Sequence, residues 1–114
     1  MDPIGPLQLR VMQFIWSNGP STVHQVHDAL NAERGAPQLA YTTILTVMRN
    51  LAKRSVLDQQ AIGRSHLFEP LVSLEEYRNR LLLQVAEDFF DGDVAAMGRY
   101  ASRKKVAINA AEDF

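Results

Sequence analysis

The 114-residue sequence contains no cysteine. This absence excludes disulfide bonds, thiolate metal ligands and a cysteine nucleophile. The sequence also lacks an apolar run of the roughly 20 residues that a membrane-spanning helix needs. Its first residues, MDPIGPL, lack the basic and apolar regions of a signal peptide. We therefore expect a cytoplasmic protein that has no membrane partner.

A large excess of charge of either sign is also missing, because 12 basic and 13 acidic residues give a net charge of -1. The two signs are nevertheless separated along the chain. Residues 40–66 include four basic residues and one acid, whereas residues 74–93 include six acids and two arginines. Such polarity turns one cationic surface towards a polyanion and keeps the acidic part away from it.

The spacing of apolar residues predicts three helices, then a β-hairpin, then further helices. Pro6 begins the first helical pattern, a capping box at Thr22 begins the second, and residues 40–54 form the third without an evident side-chain cap. Two extended runs then flank the dipeptide Gly63-Arg64, which is typical of a hairpin turn. This order is that of a winged helix-turn-helix unit.

Two more helices are predicted after the hairpin. Ser73 begins a long fourth helix, and Asp93 can cap a weaker fifth one. The last residues, 103–114, are expected to fray. The predicted fold class is therefore mainly α with a small β-hairpin: a winged helix-turn-helix followed by C-terminal helices.

The third predicted helix has a polar face of unusual composition. At 100° per residue, one side collects apolar residues such as Tyr41, Ile44 and Met48, and the opposite side has no carboxylate. In the DNA major groove, Arg and Lys meet base acceptors, Asn pairs with adenine, and Thr methyl groups contact thymine methyls. Carboxylates would be repelled by the phosphates. The predicted DNA-binding face comprises Thr42, Thr43, Thr46, Arg49, Asn50 and Lys53.

Two positions outside this helix are further candidate contacts to DNA. Arg64 at the hairpin tip can reach a phosphate or the minor groove, although a solvated turn arginine is the ordinary alternative. Thr22 and the amides at the start of the second helix can hold a phosphate, as helix N-termini do. A plain N-cap explains Thr22 equally well.

Four segments, in order, resemble the penicillinase and methicillin-resistance repressor family of bacterial winged-helix regulators. They are LQLRVMQFIW, STVHQVHDAL, LAYTTILTVMRNLAKRSVL and GRSHLFEPLVS, and the resemblance runs from about Leu7 to about Phe90. It implies a homodimeric transcriptional repressor on a near-palindromic DNA operator, with residues 40–54 in the major groove and the hairpin as the wing. Ser55 stands where the family commonly has glycine after the recognition helix.

The resemblance also implies dimerisation through the C-terminal helices. We accordingly expect a DNA-binding domain at residues 1–71 and a helical dimerisation region at residues 72–114. A long apolar helix after a small domain needs a partner surface, for which a symmetric copy is the commonest solution and its own domain is the alternative. The implied dimer residues are Leu74, Tyr77, Leu81, Leu82, Val85, Phe89 and Phe90.

Induction in this family usually follows proteolytic cleavage in the C-terminal region, after a membrane sensor detects a β-lactam. The resemblance therefore implies a sensor-linked protease as a further partner. Copper-responsive relatives hold their metal with a C-terminal cysteine cluster. This chain has no cysteine and cannot use that device.

Enzymatic chemistry would have to rest on His24, His27 and His66. An HxxH pair without a matched third ligand is a weak metal signal, and neither a glycine-rich phosphate loop nor a nucleophile motif is present. We therefore expect no enzymatic activity, no cofactor and no metal. A winged-helix module that binds protein instead of DNA is the remaining alternative, and the salt dependence of duplex binding distinguishes the two.

Overall fold

The computed structural model describes residues 4–104. In chain order its elements are α1 (Pro6–Asn18), α2 (Val23–Ala32), α3 (Tyr41–Lys53), β1 (Leu57–Ile62), β2 (Ser65–Pro70), α4 (Leu74–Phe89) and α5 (Val94–Lys104). This order confirms the predicted fold class, three helices and a hairpin followed by further helices. The chain divides into two compact units between Leu74 and Glu75.

Helices α1 to α3 and the hairpin share one apolar core in the first unit. Each helix contributes side chains spaced three or four residues apart, which is the spacing that places them on one face. Removal of these side chains from water is the main force that holds the elements together. The side chains of this core with no exposed surface are Val11, Met12, Ile15, Val26, Ile44, Met48, Leu51 and Phe68.

The predicted capping box at the start of α2 is confirmed. The Thr22 hydroxyl accepts a hydrogen bond from the Gln25 amide at 3.2 Å, and the Thr22 amide donates to Gln25 Oε1 at 2.8 Å. Two amide groups that the helix itself leaves without partners are satisfied in this way. The position at which α2 begins is therefore encoded locally.

The hairpin pairs β1 with β2 in antiparallel register, from Leu57 opposite Pro70 to Ile62 opposite Ser65. Gly63 has a φ of 60°, the positive value that the first central residue of a type II′ turn requires. The hairpin is also attached to the segment before α2, because Ser21 and Phe68 exchange two backbone hydrogen bonds of 2.9 Å. The wing is thereby held next to the start of α2.

Ser55, which follows α3, has a φ of 61°. The Val56 amide donates to the Leu51 carbonyl at 2.9 Å, and the Ser55 amide donates to the Ala52 carbonyl at 3.0 Å. These two bonds form a Schellman motif, in which the residue with positive φ is usually glycine. The chain therefore keeps the geometry for which the family commonly uses glycine and bears a steric cost at the Ser55 Cβ.

Replacing Ser55 with glycine should consequently increase the free energy of unfolding by about 1 kcal/mol, because the Cβ contact is removed. Urea denaturation followed by circular dichroism measures the change. Ser17→Gly is the matched control, since Ser17 is exposed within α1 and glycine there should be destabilising. A Ser55→Gly variant as destabilised as the control would contradict the proposed origin of the strain.

The second unit contains most of α4 and all of α5. The predicted cap of α5 is confirmed, because Asp93 Oδ1 accepts from the Ala96 amide at 3.0 Å. The Phe90 ring lies 5.6 Å from that of Tyr100, so this half-buried side chain already has a partner within one chain. Fraying is expected from residue 103, but helix α5 continues to Lys104. The rest of the segment expected to fray, residues 105–114, lies outside the described residues.

The apolar face of α4 is exposed in the single chain, with Phe89 at 76% exposure as its extreme. One residue assigned to this face from the sequence differs, because Tyr77 is only 5% exposed and its side chain is covered within one chain. Among residues 4–104, no helix has the length and apolar character needed to cross a membrane. The exposed residues of the predicted dimer set are Leu74, Leu81, Leu82, Val85 and Phe89.

Candidate nucleic-acid interface

Helix α3 turns its carboxylate-free face to solvent. Its inner side is fixed by Ile44, Met48 and Leu51, all of which are fully buried in the core. Since these three residues lie along one side of the helix, the other side must face outwards. All six residues of α3 predicted for DNA contact are exposed: Thr42, Thr43, Thr46, Arg49, Asn50 and Lys53.

Tyr41 corrects the predicted inner face of α3. The apolar periodicity places it among the buried residues, yet it is 37% exposed. As the first residue of the helix it lies beyond the core, and its ring packs against that of His24, with the centroids 4.6 Å apart. Tyr41 is therefore a contact between α2 and α3 at the surface of the unit.

A cleft of about 300 Å³ lies between the start of α2, the outer face of α3 and the hairpin. Thr22 from α2, Arg49 from α3 and Arg64 from the hairpin turn all line it. Three of the predicted DNA-binding residues, each from a different part of the sequence, therefore come together. The other predicted residues of α3 lie along the helix outside this cleft.

The cleft has the electrostatic character of an anion site. Its lining residues include two arginines, Thr22 and Ser65, and none of them is acidic. Within the described part of the chain, no ion pair joins Arg49 or Arg64 to a carboxylate. Their charges, together with the positive end of the α2 dipole, remain available to an anionic ligand.

Thr22 has both of the roles considered from the sequence. Its hydroxyl oxygen accepts the Gln25 amide as an ordinary N-cap. The hydroxyl hydrogen is not used in that bond and can still be donated into the cleft, because a hydroxyl is both donor and acceptor. The cap therefore positions Thr22 without preventing contact with a phosphate.

Three further polar residues line the cleft that were not predicted to contact DNA: His24, Ser65 and His66. They reach the cleft because the Ser21 to Phe68 pairing brings the start of β2 next to the start of α2. No local sequence signal predicts this pairing of Ser21 with Phe68, because the two residues are far apart in the sequence. Among residues 4–104, no group of three His, Cys, Asp or Glu side chains comes together as a metal site.

Comparison with known proteins identifies the same family along almost the whole chain. Residues 4–112 match the family described as penicillinase repressor. The transcriptional regulator BlaI from two Mycobacterium tuberculosis strains, CDC 1551 / Oshkosh and ATCC 25618 / H37Rv, is 42% identical over 74 residues. That alignment covers 64% of this chain and 51% of each relative, so the chain spans about half the length of the curated relatives it matches.

Two solved structures have a similar fold. The solution structure of the DNA-binding domain of the repressor BlaI superposes with a TM-score of 0.56 at 24% identity, covering 65% of this chain and 87% of that one. The Bacillus licheniformis BlaI monomeric form, solved in complex with the blaP half-operator, gives 0.55 at 24% identity, covering 67% and 89%. At this level of identity the likeness supports the winged-helix fold.

Proposed function

This chain belongs to the penicillinase repressor family, and from that premise we propose that it is a transcriptional repressor that binds double-stranded DNA through α3. The observation that carries the proposal is the exposed, carboxylate-free face of α3 beside a cationic cleft. The relatives named transcriptional regulator, and the BlaI structure with a half-operator, support the same function.

The residues of the interface divide into two roles. Arg49 and Asn50, with Thr42, Thr43 and Thr46, have the hydrogen-bonding and methyl groups that read base edges in the major groove. Lys53 in the last turn of α3 contacts the DNA backbone, and the cleft with Thr22 and Arg64 holds a backbone phosphate. Base contacts provide sequence preference, whereas phosphate contacts provide affinity and orientation.

We also propose that two copies bind a near-palindromic operator, one on each half-site. The exposed apolar face of α4 supports this arrangement, because a symmetric copy would remove it from water. The Bacillus licheniformis complex, a monomeric form on a half-operator, is consistent with one chain on each half-site. In the proposed dimer, the two α3 helices engage one duplex.

Selection of duplexes from a random pool with the purified chain tests the function. We expect enrichment of two related half-sites at a fixed spacing, since a two-fold symmetric dimer reads each half-site in the same way. Affinity for the selected duplex should also fall steeply with salt, with a logarithmic slope of about -0.9 for each phosphate neutralised. A protein-binding winged-helix module would enrich no sequence and bind duplexes negligibly even at low salt.

Arg49→Ala and Lys53→Ala separate the two proposed roles. Arg49→Ala should cost about 1–3 kcal/mol of binding free energy and relax the preference at one base position, beyond any loss common to all duplexes that follows from its place in the cleft. Lys53→Ala should weaken all duplexes alike and reduce the salt slope by about 1. Fluorescence anisotropy on the selected duplex, its single-base variants and a scrambled duplex measures both effects. Equal losses on every sequence for both variants would contradict the assignment.

Relief of repression by cleavage in the C-terminal region, through a sensor-linked protease, is the regulation we propose from family membership. Mass spectrometry of the chain recovered from cells exposed to a β-lactam tests it. The expected result is a shortened chain that appears together with transcription from the selected operator. An intact chain during transcription would reject proteolytic relief while leaving DNA binding untouched.

A further inference from the structure

One face of α2 carries three polar residues, two of which, His27 and Asn31, do not line the cleft described above. His24, His27 and Asn31 are separated by three and four residues, so their side chains lie along the same side of the helix. This side faces the connection of residues 33–40, which leads into α3. The connection is mostly exposed, and at its end Ala40 offers α3 no side-chain cap.

Asn31 forms two hydrogen bonds with the backbone immediately before α3. Its Oδ1 accepts the Leu39 amide at 2.7 Å, and its Nδ2 donates to the Leu39 carbonyl at 2.9 Å. The two bonds fix the orientation of the side-chain amide, because the Leu39 amide can only donate and its carbonyl can only accept. The last turn of α2 thereby holds the residue two positions before Tyr41.

His27 completes the arrangement by contacting the same Asn31 nitrogen. His27 Nε2 lies 2.9 Å from Asn31 Nδ2, which has to donate, so Nε2 is the acceptor. The proton of the neutral ring is then on Nδ1, which donates to Asp28 Oδ1 at 3.1 Å. Both hydrogens of the Asn31 amide are thus used, one by Leu39 and one by His27.

The first residue of α3 rests on the same face. The Tyr41 ring lies 4.6 Å from the His24 ring and 6.1 Å from the His27 ring. Thr42 and Thr43, which begin the proposed base-reading face, follow directly. The path from Asn31 to the first turn of α3 is therefore short and consists of direct contacts.

We propose that Asn31, supported by His27, is a positioning residue that sets where α3 begins and so determines sequence selectivity; this inference rests on the proposed function. The contacts of Asn31 lie on the side of α2 that faces Leu39, and Asn31 itself is not among the residues that line the cationic cleft. Its loss shifts the first turn of α3 against the bases. The phosphate contacts of Lys53 and the cleft remain.

The test compares the affinities of Asn31→Ala and the unaltered chain for two duplexes, the selected one and a scrambled one of equal composition. Asn31→Ala should lower affinity for the selected duplex about tenfold, near the net value of one to two hydrogen bonds, and change that for the scrambled duplex less than about twofold. A merely structural role would lower both equally, because it reduces the fraction of folded protein. Equal losses, or none, would overturn the inference.

Asn18→Ala is the matched control, since Asn18 also bonds a backbone carbonyl, that of Phe14, but lies at the end of α1. It should leave both affinities unchanged. If circular dichroism shows that Asn31→Ala is unfolded, Asn31→Asp decides instead, because it keeps the acceptor for the Leu39 amide and removes both donors. A selectivity equal to that of the unaltered chain would then overturn the inference.

The role of His27 has its own pair of variants. His27→Gln can present a side-chain oxygen where Nε2 accepts, so it should retain the selectivity for the selected duplex over the scrambled one. His27→Leu has no acceptor, and its selectivity should fall roughly threefold to fivefold. Identical selectivity in the two variants would remove His27 from the proposal. An unaltered chain that does not distinguish the selected from the scrambled duplex would instead refute the proposed function itself.

Discussion

Leu81→Asp should abolish dimer formation and lower the affinity for a duplex with two half-sites by about 10²–10⁴-fold. The loss is large because, in a dimer, binding of one α3 helix to its half-site places the second α3 helix at high effective concentration near the other half-site. A monomer lacks this effect. Affinity for a duplex with a single half-site should hardly change. The comparison of the two duplexes therefore separates loss of the dimer from loss of groove contacts.

The position of Leu81 on α4 explains the choice. At 100° per residue, Leu81, Leu82, Val85 and Phe89 fall within an arc of about 100°, and all four are exposed in the single chain. A carboxylate at position 81 of this stripe would have to be buried without a partner on association. Leu83 is also exposed but lies on the opposite side of the helix.

Leu83→Asp is accordingly the matched control, with the same change of residue on the same helix. Analytical ultracentrifugation should show a dimer for the unaltered chain and for Leu83→Asp, and a monomer for Leu81→Asp. Circular dichroism should be the same for all three proteins. An unchanged sedimentation coefficient for Leu81→Asp would show that the chain does not dimerise through this face.

The helices and the hairpin could be predicted because their signals are local. Pro6 at a first helical position, the Thr22 capping box and the Gly63 turn each act within a few residues, and the structure has all three. Periodicity gives the angle of a residue around its helix but not what lies beside it. For this reason periodicity misplaces Tyr41, which is exposed beyond the core, and does not reveal that Tyr77 is covered within one chain.

The part of the candidate site that depends on one helix could be predicted from the sequence, and the part that depends on tertiary contacts could not. The outer face of α3 is a property of one helix, so its residues could be identified from composition and spacing. The cleft depends on the pairing of Ser21 with Phe68. The hydrogen bonds between Asn31 and Leu39 depend on the path of residues 33–40. Neither leaves a periodic signal, so His24, His66 and Asn31 became visible only with the fold.

Phe68→Ala should cost about 3–5 kcal/mol of the free energy of unfolding, the range for truncation of a fully buried aromatic side chain. Phe68 has no exposed surface, and it is the residue at which the wing is attached to the segment before α2. Typical domains have only about 5–15 kcal/mol of stability. The substitution keeps the two backbone hydrogen bonds with Ser21, but loss of the buried ring alone would remove a large part of this stability.

Urea denaturation at a fixed protein concentration measures this loss, with Leu67→Ala as the control. Leu67 is the preceding residue of β2, is only half-buried and points to the other face of the hairpin, so its truncation should cost much less. Near the unfolding midpoint, Phe68→Ala should reduce binding to selected and scrambled duplexes in proportion to the folded fraction. That parallel loss is the opposite of the result expected for Asn31→Ala. Equal costs for the two truncations would show that the buried Phe68 ring contributes no more to stability than the half-buried Leu67 side chain.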